Sequence, residues 1–236
     1  MRSMVHYIPI ATSVLAFLIA PLLFRRHRER GGTHLLWWGW GIVMYGVGTV
    51  TESITTLFGW QEPVFRLWYI SGALLGGAPL AQGTAYLLLS RKVADRLATA
   101  LVAVIAVASV FVLLTPIDAS QVEQFRLSGR VMEWTWVRAF SPFVNIYAFI
   151  FLVGGAVWSA WFFRGQAENR HRVIGNVFIA LGGLLPGIGG SFTRFGHVEV
   201  LYVTEFLGLC LIFVGYRYNT AGTLLRAPPT PTTSTA

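Results

Sequence analysis

Four ionisable residues stand out because they lie inside or beside strongly apolar stretches of the chain. Glu52 lies in "TVTESITT" and Glu205 in "YVTEF", while Arg66 and Arg194 lie in "FRLW" and "TRFG". A carboxylate at membrane depth is costly unless it is paired, hydrated or protonated. These residues therefore predict either a buried ion-pair network or a polar cavity that binds a small ligand, an ion or a proton.

Three further polar residues, Tyr69, Asn145 and Tyr202, fall in the same outer half of the predicted bundle. Tyr202 and Glu205 are three residues apart, so they share one face of a helix. We expect Glu52 and Glu205 to face the interior, with Arg66 and Arg194 as their cationic partners. The candidate set, for a bound ligand or for a buried polar network, is Glu52, Arg66, Tyr69, Asn145, Arg194, Tyr202 and Glu205.

The composition indicates that a lipid bilayer surrounds the elements that carry these residues. The chain has 236 residues, of which 55% are hydrophobic and 12% are charged, against about 25% charged in soluble domains. Its net charge of +8 lies between apolar segments rather than on one polar face. The predicted partner is therefore the bilayer, and not nucleic acid.

Stretches of about 20 apolar residues predict an all-α, polytopic seven-transmembrane-helix bundle over residues 1–219. A mixed aromatic and charged connection, 118–142, is predicted to lie at the membrane interface. The Pro- and Thr-rich tail, 220–236, is predicted to be disordered. The seven predicted spans are 5–24, 34–58, 63–89, 97–117, 143–163, 173–192 and 198–216.

The distribution of Lys and Arg predicts how these spans are oriented. Twelve basic residues fall on one side and six on the other, which predicts an outside N-terminus and a cytoplasmic C-terminus. The twelve are Arg25, Arg26, Arg28, Arg30, Arg91, Lys92, Arg96, Arg164, Arg170, Arg172, Arg217 and Arg226; the six are Arg2, Arg66, Arg126, Arg130, Arg138 and Arg194.

Two stretches of the chain look alike, which allows a parallel 3+1+3 repeat. "FRRHRERGGTHLLWWGWG" followed by "FGWQEPVFRLWY" parallels "FRGQAENRHRVIGNVFIALGG" followed by "FGHVEVLY". The first three helices would then match the last three, with the fourth as a linker. Chance recurrence of short glycine-rich patterns is the alternative.

Glycine and proline are concentrated in the third and sixth spans, "SGALLGGAPLAQGT" and "GGLLPGIGG". Small residues allow close helix packing, and Pro186 is expected to kink its helix. The alternative is a hinge or an unwound segment that lines a cavity. The residues concerned are Gly72, Gly76, Gly77, Pro79, Gly183, Pro186 and Gly187. Nearer the cytoplasmic side, Gln82, Thr84 and Asn176 are expected to form interhelical hydrogen bonds.

Several classes of protein are excluded by missing residues. The sole lysine, Lys92, lies in a predicted cytoplasmic turn, so no span carries a Schiff-base lysine for retinal. The sequence has no metal-ligand spacing, no serine-nucleophile motif and no aspartate inside a span. We therefore expect no metal, no cofactor and no enzymatic activity.

The stretches "FRLWYISGALLGGAPLAQGTAYLLLSRK", "SPFVNIYAFIFLVGGAVWSAWFFR" and "RVIGNVFIALGGLLPGIGGSFTRFG" resemble uncharacterised seven-helix bacterial membrane proteins. This resemblance implies a multi-pass protein of the bacterial cytoplasmic (inner) membrane. The layout is also similar to seven-helix sensory modules and to small sugar transporters with paired triple-helix bundles.

Three functions therefore stay open. The first is a non-enzymatic ligand-sensing or ligand-binding protein with an outward-facing polar pocket. The second is a small-solute, ion-coupled or proton-coupled transporter, and the third is a structural subunit of a membrane complex. A small-molecule ligand and a membrane partner protein or homo-oligomer are the possible partners beyond lipid.

Overall fold

The computed structural model describes residues 4–193 and 195–224, and side chains to residue 220 except that of residue 194. The described chain is all-helical, with 86% helix and no strands. The α-helices are α1 (Ile8–Arg30), α2 (Thr33–Phe58), α3 (Glu62–Trp68), α4 (Ala78–Leu88), α5 (Arg91–Leu114), α6 (Phe140–Ala148), α7 (Gly155–Phe163), α8 (Arg170–Thr193) and α9 (Val198–Leu224).

Six helical segments of the described chain are long and apolar enough to cross a membrane, as expected for a multi-pass membrane protein. They are Met4–Arg30, Glu62–Leu88, Arg91–Leu114, Thr135–Phe163, Ala167–Thr193 and Val198–Thr220. Each contains one of the predicted spans or most of it. The last helix continues past the predicted end at 216 to Leu224, while the rest of the predicted tail, 225–236, lies outside the described residues.

The second predicted span, 34–58, forms α2, which has 26 residues but is too polar to count among these six segments. This polarity is consistent with the position of α2 in the bundle, because α2 contacts α1, α3 and α4 and half of its residues are buried. Buried Thr49, Thr51, Ser53 and Thr55 donate hydrogen bonds to carbonyl groups or other hydroxyls inside the bundle. A helix surrounded by protein can carry such groups, whereas a lipid-facing helix cannot.

Consecutive long helices such as α1 and α2, or α8 and α9, pack antiparallel. Ser13 and Thr49 join α1 to α2 with a 2.9 Å contact between their hydroxyl oxygens. We call the end that contains Arg26, His34 and Arg172 the basic end. The opposite end, where residues 115–139 fold over the bundle, is the cap end.

The predicted span 63–89 is a broken helix. After α3, residues Tyr69–Leu74 form a π-helical turn, and a short turn at 75–77 leads into α4. The amide of Gly76 bonds to the carbonyl of Gly72 at 3.0 Å, which closes this break. α2 passes close to it, since a methyl group at Gly48 would lie 3.1 Å from the Cα of Gly72.

A second π-helical segment, Phe149–Gly154, joins α6 to α7, so the predicted span 143–163 is also irregular. This segment contacts α4 and α8. Gly77, at the start of α4, lies near it, because a methyl group there would be 3.1 Å from the Cβ of Ala148. Both interruptions therefore lie where helices from the two halves of the chain meet.

α8 and α9 pack together through glycines spaced by seven residues. A methyl group at Gly182 would lie 2.6 Å from the carbonyl oxygen of Gly208, and one at Gly175 would lie 2.8 Å from that of Gly215. A methyl group at Gly189 would lie closer still, against the hydroxyl of Thr204 and 2.7 Å from the Cα of Leu201. We call these five glycines, at 175, 182, 189, 208 and 215, the glycine seam. Backbones this close exclude any side chain between them.

The predicted packing pair Gly183 and Gly187 is not part of this seam. Gly183 faces Leu152, and a methyl group at Gly187 would meet no atom within 4 Å. Helix α8 continues through Pro186, which packs beside Gly208. Gly183 therefore packs against the Phe149–Gly154 segment, whereas α9 is contacted through a different set of glycines on α8.

The predicted interfacial connection folds as a cap over the bundle. Val131, Met132 and Val137 are buried against Phe65 and Val112. The cap is anchored to α8, since Arg126 donates to the carbonyl of Thr193 at 2.6 Å. Trp134 and Trp136 stack on each other and stay exposed, as interfacial aromatic residues would.

Candidate functional site: a buried carboxyl pair and a cavity at the basic end

Glu52 lies on α2, in the cap-end half of the bundle, and is 3% exposed. Its Oε1 accepts a hydrogen bond of 3.0 Å from the indole N–H of Trp68 on α3. Its Oε2 is buried and accepts no hydrogen bond from the described residues. A buried carboxyl group with one donor is incompletely satisfied.

Glu205 on α9 lies beside Glu52, as the sequence suggested. The two carboxyl groups are within hydrogen-bonding reach of each other. Glu205 also has a buried Oε2 for which the described residues supply no donor. We call Glu52 and Glu205 the carboxyl pair.

Two tyrosines border the carboxyl pair. The hydroxyl of Tyr45, two turns before Glu52 on α2, donates to the backbone carbonyl of Glu205 at 2.9 Å. Tyr202, one turn before Glu205, interacts with both carboxyl groups and with Thr56. The predicted proximity of Tyr202 to Glu205 therefore extends to Glu52.

Arg66 does not serve the carboxyl pair. Among the described residues its ionic partner is Glu62, four residues earlier in α3, at 2.6 Å. The guanidinium also donates to the backbone carbonyls of Val112 and Thr115 at the end of α5. The expected pairing of Arg66 with an intramembrane glutamate is thus replaced by a local pair that anchors α3 to α5.

The remaining predicted residues are dispersed. Tyr69 is buried in the apolar cluster under the cap, among Phe65 and Val131. Asn145 is exposed and donates to the hydroxyl of Ser141 at 3.1 Å. Arg194 lies outside the described residues. The structure therefore brings together Glu52, Tyr202 and Glu205 and adds Tyr45 and Trp68, which the sequence analysis did not single out.

Of the three polar residues expected to link helices, Gln82 does so. It is fully buried, donates to the carbonyl of Ala94 on α5 at 2.9 Å, and accepts from the hydroxyl of Tyr147 on α6. Thr84 and Asn176 instead donate to carbonyls four residues earlier in their own helices. Only Gln82 is therefore an interhelical link.

We expect Gln82→Leu to lower the free energy of unfolding by about 1–2 kcal/mol, because the Tyr147 hydroxyl would be left without its partner. Thr84→Val removes only a bond within α4 and should cost less than half as much. Denaturation by SDS in mixed micelles measures both. Equal losses for the two variants would show that the link contributes nothing beyond local packing.

A cavity of about 730 Å³ opens at the basic end. Its walls come from α1, α2 and α4 on one side and from α7, α8 and α9 on the other. Most of the lining is apolar, including Leu80, Leu152 and Ile212, but Arg26, His34 and Arg172 also line it. We call it the basic-end cavity. Sequence patterns gave no sign of it, because each helix contributes only a few residues.

The deep end of the basic-end cavity approaches the carboxyl pair. Ile42 and Leu209 line the cavity and are almost fully buried. Leu209 follows Glu205 by four residues, or about 6 Å along α9, and Ile42 precedes Tyr45 by one turn. Along α9, the cavity lining therefore comes within about one helical turn of Glu205.

The chain matches no family model, no curated protein and no solved structure.

Proposed function

We propose that this chain is a non-enzymatic transporter that binds a small amphipathic anion in the basic-end cavity. The supporting observation is that the cavity lies between two groups of helices, α1–α2–α4 and α7–α8–α9. A solute held there touches both groups. Movement of one group against the other would then change the end to which the solute is exposed.

The ligand class follows from the chemistry of the lining. Leucine, isoleucine and aromatic side chains favour a hydrocarbon body, and two guanidinium groups with one imidazole favour an anionic end. The volume of about 730 Å³ falls in the range of small-molecule sites. A fully polar ion would leave most of the apolar side chains of this lining without a favourable contact.

The proposal includes α2 as a seventh span and a cytoplasmic basic end. α2 is long enough to cross a bilayer at about 1.5 Å per residue, and its polar groups are enclosed by neighbouring helices. The excess of Lys and Arg favours a cytoplasmic basic end and an outside N-terminus in the bacterial inner membrane. A pocket that opens outward beside Glu52 has less support, because the large cavity opens at the other end.

The proposal predicts that laurate, used as a probe, raises the melting temperature of protein purified in a neutral detergent. Lauryl alcohol, which lacks the charge, should raise it much less. Arg26→Gln should weaken laurate binding about tenfold, a loss of about 1.4 kcal/mol. Isothermal titration or the concentration dependence of the melting temperature measures this.

Arg25→Gln is the matched control. Arg25 is adjacent in sequence and loses the same charge, but it is exposed, pairs with Glu29 and does not line the cavity. Laurate affinity should therefore stay unchanged in Arg25→Gln. The proposal is wrong if both variants bind laurate as the unaltered protein does, or if lauryl alcohol binds equally well.

A further inference from the structure

The carboxyl pair lacks the hydrogen-bond donors that two ionised carboxylates require. Trp68 supplies one N–H, to Oε1 of Glu52. The Oε2 atoms of Glu52 and Glu205 are both buried, and the described residues offer neither of them a donor. Each is a strong acceptor, and an unsatisfied acceptor at this depth strongly destabilises the fold.

No cation of the described chain compensates the pair. The salt bridges of the described residues involve Glu29, Glu62, Asp95, Glu123 and Glu199, and neither member of the pair. Arg66, the nearest expected partner, is occupied by Glu62 and by α5 carbonyls. Two adjacent carboxylates without a counter-ion repel each other strongly in an apolar interior.

The other groups that face the pair are neutral or acidic. Tyr45 comes from α2, and Tyr202, Glu199 and Cys210 come from α9. His6, in the turn before α1, packs its ring edge against Tyr202 and lies 3.6 Å from Glu199. The hydroxyl of Tyr45 already donates to a backbone carbonyl. The described residues of the neighbouring helices therefore supply no positive charge at the pair itself.

We propose that Glu52 and Glu205 form a proton-binding site that holds one proton between their two carboxyl groups. The O–H of one carboxyl group donates to a carboxylate oxygen of the other. The proton thus satisfies both groups at once and reduces the charge of the pair to a single negative charge. No bond other than O–H forms or breaks, and the proton comes from water.

The site has a direct consequence for stability. When the pH is raised far enough for the proton to leave, two negative charges face each other between α2 and α9. The melting temperature should therefore fall as the pH rises, and this fall should be largely absent in Glu52→Gln. In that variant the amide N–H donates to Glu205 and takes the place of the shared proton.

Infrared spectroscopy of the unaltered protein at neutral pH tests the site directly. We expect a C=O stretching band of a protonated carboxyl group, shifted in D₂O. It should be lost in Glu52→Gln and in Glu205→Gln. Loss of the band in both variants assigns it to the pair, because the carboxyl groups in the salt bridges from α1, α3, α5 and the cap are solvent-accessible and are unchanged in these variants.

His6→Gln is the control, because His6 packs against Tyr202 and lies beside Glu199 without belonging to the carboxyl pair. This variant should keep both the band and the pH dependence of melting. A spectrum without the protonated band overturns the proposal, as does a band that persists in Glu52→Gln and Glu205→Gln. If sodium chloride removes the band while the ionic strength is held constant, the site binds a metal cation instead, and the proposal is wrong. Laurate binding is measured separately, so either proposal can fail alone.

Discussion

Gly182→Ala is expected to destabilise the protein by about 3 kcal/mol, at the upper end of the cost of overpacking. The added methyl group would lie 2.6 Å from the carbonyl oxygen of Gly208 and 2.8 Å from the amide nitrogen of Ile212. Both are backbone atoms of α9, so no side-chain rotation relieves the contact. α8 and α9 must move apart, which weakens the whole glycine seam.

Gly187→Ala provides the matched control in the same helix. Its methyl group would meet no atom within 4 Å, and alanine favours a helix over glycine by up to about 1 kcal/mol. The control variant should therefore be as stable as the unaltered protein or slightly more stable. SDS denaturation of both variants in mixed micelles measures the difference. If the two variants lose equal stability, the glycine seam does not hold α8 and α9 together.

The sequence predicted the helices well because the pattern that marks them is long and local. Runs of apolar residues separated by basic or glycine-containing turns located the long helices. α2 could be predicted although it is polar, because its Thr, Ser and Glu residues lie between apolar neighbours over 26 residues. The π-helical segment Phe149–Gly154 was not predicted, and at Tyr69–Leu74 an unwound segment was only the alternative to close packing, since an extra residue per turn leaves no clear mark in hydropathy.

The pairing predicted for Arg66 was wrong for an identifiable physical reason. Glu62 and Arg66 are four residues apart on a helix, and such a local pair needs no partner on another helix. Gly182 and Gly189 repeat at seven residues, like Gly208 and Gly215, and this spacing could have revealed the glycine seam. Gly183 and Gly187 have the shorter spacing typical of helix-packing motifs, but Gly183 contacts Leu152 rather than α9.

The candidate site was predictable only in part. Burial of Glu52 and Glu205 follows from the cost of exposing carboxyl groups to lipid, and the structure places them together. The basic-end cavity was not predictable, because it depends on how six helices are spaced rather than on any one of them. The cap also needed the structure, since its buried Val131 and Met132 carry no periodic pattern.

Cysteine labelling will show whether solute can enter between the two helix groups. Ser159 lines the basic-end cavity, whereas Ser71 is 1% exposed and lies outside it. Cys210 is the single native cysteine and is first replaced by alanine. A membrane-impermeant maleimide is then applied to intact cells and to inverted membrane vesicles that contain Ser159→Cys or Ser71→Cys.

We expect rapid labelling of Ser159→Cys in inverted vesicles, little labelling in intact cells, and protection by laurate. Ser71→Cys should stay unlabelled in both preparations. Labelling of Ser159→Cys only in intact cells would reverse the proposed orientation. No labelling of Ser159→Cys in either preparation would mean that water and solute do not reach the cavity, and would contradict the proposed transporter.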